Sequence, residues 1–246
     1  MQNAEKTILA VDDDQDILEM LTMLLRSEDY RVLVAPGGHE AIELLRSERP
    51  DLVLLDIMMP SVSGHEVHHF IRSEPELADT RVVMLTAKNE IDDIALALDE
   101  GADGFIVKPF DVDHFLRVVG FRVAGKQAEF YRRDNPIEGF GRQMKRSDLS
   151  DKSRIVFLDF FEPEAELSAV VGATETRNQS LMSLWQEESE EDLLHTTALI
   201  HTESSTHFGE LLNSLLEASG VQIEHCLIFR NFDEIPADIM GTGIGG

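Results

Sequence analysis

Thr7-Ile8-Leu9-Ala10-Val11-Asp12-Asp13-Asp14 is the stretch from which the fold can be read, because a strand-like run ends abruptly in three acids. Three later runs end in the same manner. Leu52-Val53-Leu54-Leu55 is followed by Asp56, Val82-Val83-Met84-Leu85 by Thr86, and Phe105-Ile106-Val107 by Lys108. Short, continuous apolar runs suit strands buried on both faces of a parallel sheet. Between them the apolar positions change to helical spacing: Ile17-Leu18, Leu21 and Leu24-Leu25; Ala41-Ile42 and Leu44-Leu45; Val67 and Phe70-Ile71; Ile94, Leu96 and Leu98. The alternation predicts βαβαβαβαβα, an α/β fold with a doubly wound, five-stranded parallel sheet.

In such sheets the side chains just past the carboxyl ends of the strands surround the ligand crevice, so Asp12, Asp13, Asp56, Thr86 and Lys108 are expected to meet. Each has a plain structural alternative when taken alone. Asp12 to Asp14 could be a solvated turn capping a helix that begins near Asp16. Asp56 could be a turn residue, Thr86 a helix cap and Lys108 a surface charge. Their joint placement favours chemistry. Close carboxylates repel by about 4 kcal/mol per pair at an effective dielectric near 20, so a hard divalent cation, Mg²⁺, is the natural neutraliser. A cation on Asp13 and Asp56 would also hold the oxygens of an incoming phosphoryl group, with Lys108 supplying fixed charge and Thr86 a hydroxyl donor. The Asp56 carboxylate is then the nucleophile and an aspartyl phosphate the product.

Residues 1 to about 124 resemble the receiver domain of two-component response regulators. The matching residues are Asp12-Asp13, Asp56 with Met58-Met59-Pro60 and Gly64, Thr86-Ala87, Gly101-Ala102-Asp103-Gly104-Phe105, and Lys108-Pro109-Phe110. The resemblance implies that Asp56 is the phosphoacceptor and that Asp13, Asp56 and the Met58 carbonyl ligate Mg²⁺, with Asp12 holding the metal's water shell. It implies a cis Lys108-Pro109 peptide that aims the lysine. It also implies a switch in which Thr86 is drawn to the phosphoryl group and the Phe105 ring, two strands away, follows. Ala87 leaves room for the phosphoryl group. Met58 and Lys88 flank the site where they can shield or orient water, which predicts a moderately long-lived aspartyl phosphate. The receiver is expected to catalyse its own phosphotransfer and dephosphorylation.

The chain of 246 residues is about twice the length of one such domain, so a second unit is expected. The predicted organisation is a receiver at 1–124, a helix extension and linker at 125–153, and an acidic α+β output or docking domain at 154–246. Residues 1–124 hold 25 acids and 11 Lys or Arg, 125–153 hold 5 and 7, and 154–246 hold 17 and 3, giving −14, +2 and −14. The basic residues Arg132-Arg133 and Lys145-Arg146 read as solvated linker charges. Arg154, Arg177 and Arg230 are the three basic residues of the last segment. That balance predicts a non-DNA-binding output and no nucleic-acid partner. The lone Cys226 argues against a disulfide framework or a Cys-based zinc site. The absence of a membrane-span-length apolar run or a signal-peptide pattern predicts a cytoplasmic protein without a membrane partner.

Within 154–246, Arg154 to Phe161, Thr197 to His201 and Val221 to Phe229 read as strands. Glu164 to Val171 and His207 to Ala218 read as helices, and Glu187 to Asp192 as an acidic loop. The pattern is α+β, of ferredoxin-like character. Val171-Gly172-Ala173-Thr174, Leu181 to Trp185 and Leu199 to Ser205 resemble the carboxyl-terminal half of nucleoside diphosphate kinases, which makes His201 a candidate phosphoryl acceptor. This sequence departs from that family: Met182 stands where arginine is expected, Ala198 where asparagine is expected, and no cations stand near to clamp a triphosphate. The alternative to a docking role is therefore a phosphotransferase using His201. His195, His207 and His225 read as surface or packing residues.

The sequence thus predicts a response regulator phosphorylated on Asp56 by a histidine kinase or phosphotransfer protein docking near Ile17 and Leu18. It would signal to a downstream protein partner and could form a homodimer through the last two receiver helices.

Overall fold

The computed structural model describes residues 6–87, 101–124, 154–163, 180–188, 193–202, 210 and 222–229. The chain divides into two compact units, Met1–Lys126 and Gln127–Gly246. In the first, β1 (Thr7–Val11), β2 (Arg31–Ala35), β3 (Leu52–Asp56), β4 (Arg81–Ala87) and β5 (Gly104–Lys108) lie in the order β2-β1-β3-β4-β5. Every pairing among them is parallel. The helices described are α1 (Gln15–Ser27), α2 (Gly38–Glu48), α3 (Gly64–Ser73) and α4 (Val112–Ala124). The chain winds outward from β1 to β2, then reverses and builds from β3 to β5. The reversal leaves a crevice at the carboxyl ends of β1 and β3.

The sequence explains why these segments pack. All five residues of β3 are buried, as are Val82 to Thr86 of β4, so the central strands are covered on both faces and apolar up to the polar residues Asp56 and Thr86. Helix α1 buries Leu18, Leu21 and Leu25, one stripe at helical spacing, each worth about 1.5–3 kcal/mol on leaving water. Helix α3 begins with a capping box: Glu66 N–H donates to Ser63 Oγ, and Glu66 Oε2 accepts from Ser63 N–H. It buries Gly64, Val67, His68 and Ile71. Phe110 stacks on Phe115 with ring centroids 4.8 Å apart, fastening the loop after β5 to α4.

At the opposite end of the sheet from the crevice, Asp103 is buried before β5. Its Oδ2 accepts from Arg72 Nη2 (2.9 Å) and Val82 N–H (2.8 Å), and its Oδ1 accepts from Arg81 Nη1 (2.9 Å). Arg72 also donates to the carbonyls of Gly101 and Thr80, each at 3.0 Å. One guanidinium therefore ties α3 to the starts of β4 and β5.

In the second unit, β6 (Arg154–Pro163), β7 (Ser180–Glu188), β8 (Leu193–Thr202) and β9 (Gln222–Phe229) lie in the order β9-β6-β8-β7. All their pairings are antiparallel. Counted within the unit, this is a 4-1-3-2 strand order, the order of a ferredoxin-like sheet. The structure adds a strand the sequence reading left out: β7 spans Ser180–Glu188, so Glu187 and Glu188 belong to a strand rather than to the acidic loop. The expected helices at 94–98 and 164–171, all of the one at 207–218 except Glu210, the linker 125–153 and Lys88 lie outside the described residues. Among the described residues no helix is long and apolar enough to cross a membrane.

Candidate functional site

Three carboxylates meet at the crevice. Asp12 and Asp13 follow β1 and Asp56 ends β3, and one ligand atom from each lies within 4.8 Å of the others. Asp12 and Asp56 are buried, whereas Asp13 is exposed. Hydrogen bonds hold the backbone beneath them. Asp12 N–H donates to the Ala35 carbonyl (3.3 Å), and Ile57 N–H donates to the Leu85 carbonyl (3.3 Å). Gly64 N–H donates to the Ile57 carbonyl (2.9 Å), and a Cβ at Gly64 would strike the Asp56 carbonyl and come within 2.9 Å of Ile57 Cα. Glycine is required there for close approach.

Lys108, last in β5, reaches across to the acids. Its ammonium donates to Asp12 Oδ2 at 2.8 Å and to Asp56 Oδ1, with one-fifth of its side chain exposed. Burial by itself pushes the lysine down, but hydrogen bonds to Asp12 and Asp56, and their charges, hold it above its ordinary value. It is protonated at neutral pH. The Lys108-Pro109 peptide is cis.

Thr86 is fully buried, and its Oγ1 donates to the Ala87 carbonyl at 3.2 Å. It stands one residue beyond Leu85, the register partner of Asp56. Phe105 is buried at 1% exposure. The expectation that it lies two strands from Thr86 is corrected: β5 pairs directly with β4, with Thr86 opposite Val107 and Phe105 opposite Met84. Paired residues of parallel strands share a face, so Thr86 and Phe105 are near neighbours on it. Met58 is 63% exposed beside the site.

His201 sits elsewhere, in the sheet of the second unit. It is buried at 8% exposure in β8, opposite Ile155 of β6 and Ser180 of β7.

The carboxylate set fits a hard divalent cation: the donors are all oxygens, close together, and next to the ammonium of Lys108.

The family model for the response regulator receiver domain matches residues 8–119. This part of the chain is a response regulator receiver domain. Among its relatives, the DNA-binding response regulator MtrA of Mycolicibacterium smegmatis is 38% identical over 129 residues, covering 52% of this chain and 55% of that protein. MtrA of Mycobacterium tuberculosis is 43% identical over 110 residues, 45% of this chain and 47% of that protein. The response regulator MprA of Mycolicibacterium vanbaalenii is 37% identical over 145 residues, 58% of each. The chain spans about half the length of the curated relatives it matches. The receiver also matches the chemotaxis protein CheY4 of Vibrio cholerae, with TM-score 0.46, 31% identity, and coverage of 49% of this chain and 99% of that one.

These relatives overturn two expectations. A non-DNA-binding output and the absence of a nucleic-acid partner were inferred from charge, yet MtrA is named a DNA-binding response regulator in several organisms. The physical fault lies in using net charge. Screening cuts off exposed charges beyond about 10 Å in 0.1 M salt, so a domain total says little about a local basic surface. Residues 125–153 hold 7 Lys and Arg, a local basic excess that the totals average away.

Proposed function

We propose that this chain is a two-component response regulator that accepts a phosphoryl group on Asp56 from a histidine kinase or a phosphotransfer protein. The observation carrying the proposal is the convergence of Asp12, Asp13 and Asp56 with Lys108 bonded to two of them. An Asp56 carboxylate oxygen attacks the phosphorus of a phosphohistidine. The P–N bond breaks, its electron pair leaves with the imidazole nitrogen, and that nitrogen takes a proton from solvent.

Lys108 shifts from the Asp56 oxygen to a phosphoryl oxygen while Asp12 keeps its other contact. Thr86 turns its hydroxyl from the Ala87 carbonyl to a second phosphoryl oxygen, and the neighbouring Phe105 ring repacks in the space it leaves. Asp13, Asp56 and the Met58 carbonyl would hold Mg²⁺, with Asp12 on its water shell; when bound, it supplies charge neutralisation of the phosphoryl oxygens. A protein of this class works in the cytoplasm. The relatives named for DNA binding bring DNA into this reading as the target of the output, with the basic segment 125–153 as the stretch that would contact phosphates.

Two measurements test the proposal. Incubation with phosphoramidate and Mg²⁺ should add one phosphoryl group by intact mass to the full chain and none to Asp56→Asn. A mobility shift on duplex DNA should weaken steeply with salt and respond to phosphorylation. Labelling that survives Asp56→Asn would reject the phosphoacceptor, and binding indifferent to phosphorylation would reject control of the output.

A further inference from the structure

We propose that Asp14, an exposed residue absent from the reacting set, is the positioning residue that aims the Asp12 carboxylate at the metal and phosphoryl site. The inference rests on the phosphoacceptor reading above and extends it to the turn after β1. The three acids of that turn serve different ends. Asp12 and Asp13 contribute ligand atoms to the carboxylate cluster. Asp14 points the other way and closes the first turn of α1, where its carboxylate accepts from Asp16 N–H at 2.9 Å. Its carbonyl accepts from Leu18 N–H at 3.1 Å. The residue is therefore fixed twice, in extended backbone at φ −87°, ψ 114°.

That fixed backbone does something for the site. Asp14 N–H donates to Asp12 Oδ1 at 2.9 Å, while Asp12 Oδ2 accepts from Lys108 at 2.8 Å. Asp12 is thus held at one oxygen by the first turn of a 13-residue helix and at the other by the end of β5. Loss of the Asp14 cap leaves the amide that orients Asp12 free to turn. Only the cap geometry is needed. A negative charge at Asp14 favours the amino end of α1 but adds to an already acidic crevice, so neutral capping side chains should serve as well.

The test compares full-length Asp14→Ala, Asp14→Gly, Asp14→Ser and Asp14→Asn in two assays: calorimetric titration with Mg²⁺ alone, and the rate of phosphoramidate labelling. Small misplacements of catalytic groups are amplified in rate, so Asp14→Ala should weaken Mg²⁺ binding and slow labelling by about fivefold each. Asp14→Ser and Asp14→Asn should restore both to within about twofold of the wild type, since both residues cap well. Glycine is tolerated at an N-cap far better than alanine, so Asp14→Gly should stay folded with near-normal stability and still bind Mg²⁺ as poorly as Asp14→Ala. It also decides the matter if Asp14→Ala does not fold. Wild-type Mg²⁺ affinity in Asp14→Gly would overturn the proposal, as would equal losses in the alanine, serine and asparagine variants, which would make charge the cause. If the wild type takes no label on Asp56, the phosphoacceptor reading fails, and the Mg²⁺ titrations still decide the positioning role.

Discussion

Helix α3 carries a histidine at full burial, and its acid response can be worked out. His68 is 0% exposed, and its pKa is pushed down to about 4, first by burial, then by the neighbouring Arg72 and, more weakly, His65. Asp103 and a hydrogen bond with the Gly101 backbone pull in the opposite direction and lose. In the unfolded chain the ring titrates near its ordinary value of about 6.5. Between about pH 6.5 and about pH 4 the unfolded state therefore binds a proton that the folded state refuses, so stability falls as pH falls through that window. The depression, about 2.5 pH units at about 1.4 kcal/mol each, amounts to about 3 kcal/mol, all of it lost by about pH 4. Carboxylates add their own acid dependence, so the readout is a difference. Urea melts of the wild type and of His68→Leu and His68→Gln, run from neutral pH down to about pH 4.5, should show the wild type losing about 2–3 kcal/mol more than either variant. Parallel losses in all three proteins would refute the reasoning, as would an NMR titration placing the ring near its ordinary value.

Four further outcomes follow from the same contacts. Asp103→Asn keeps the shape but sets an amide N–H against a guanidinium and removes the charge facing Arg72 and Arg81. Because both arginines retain some solvent, the loss in urea melts should be about 2–4 kcal/mol, and a loss below about 1 kcal/mol would count against the network. Gly64→Ala must displace the Asp56 carbonyl, so it should cost about 2 kcal/mol or more and slow labelling of Asp56; an unaffected rate would show that the loop yields without moving the aspartate. Lys108→Ala leaves buried Asp12 and Asp56 without their shared cation, and should cut labelling by about 100-fold or more while increasing the stabilisation that Mg²⁺ confers in thermal melts. Ser61 holds φ 69° in the loop after β3, so Ser61→Gly should raise stability by about 0.5 kcal/mol; a fall would mean that the side chain is worth more than the strain.

Much of the receiver was legible because its central strands are apolar on both faces and end in polar residues. The runs at Thr7–Val11, Leu52–Leu55, Val82–Leu85 and Phe105–Val107 coincide with strands β1, β3, β4 and β5. Strand β2 carries an apolar run at Val32 to Ala35 but ends at Pro36 instead of a polar site residue, so the pattern of strands ending in polar groups does not pick it out. The meeting of Asp12, Asp13, Asp56 and Lys108 follows from strand ends alone. Which partners Lys108 takes does not, since that depends on side-chain reach across β1 and β3. Asp14 looked like a bland cap, and it is one; its amide contact to Asp12 could not be inferred from composition. Asp103 stands in the Gly101 to Phe105 stretch with no role legible from sequence, because the arginines that neutralise it come from α3 and β4, 31 and 22 positions away in the chain. Strand β7 is hidden in the sequence because Glu187 and Glu188 read as loop, although β8 pairs with both. Charge totals do not report the output, because they average over surfaces that binding does not.

The central claim is chemical, that the residue modified is Asp56. Borohydride reduces an acyl phosphate to an alcohol, so treating the phosphoramidate-labelled full chain with tritiated borohydride and sequencing its peptides locates the modified carboxylate. Phosphorylation at Asp56 predicts tritiated homoserine at position 56, dependent on Mg²⁺ and absent from Asp56→Asn. Label at another aspartate, or at none while the protein still gains a phosphoryl group, would contradict it.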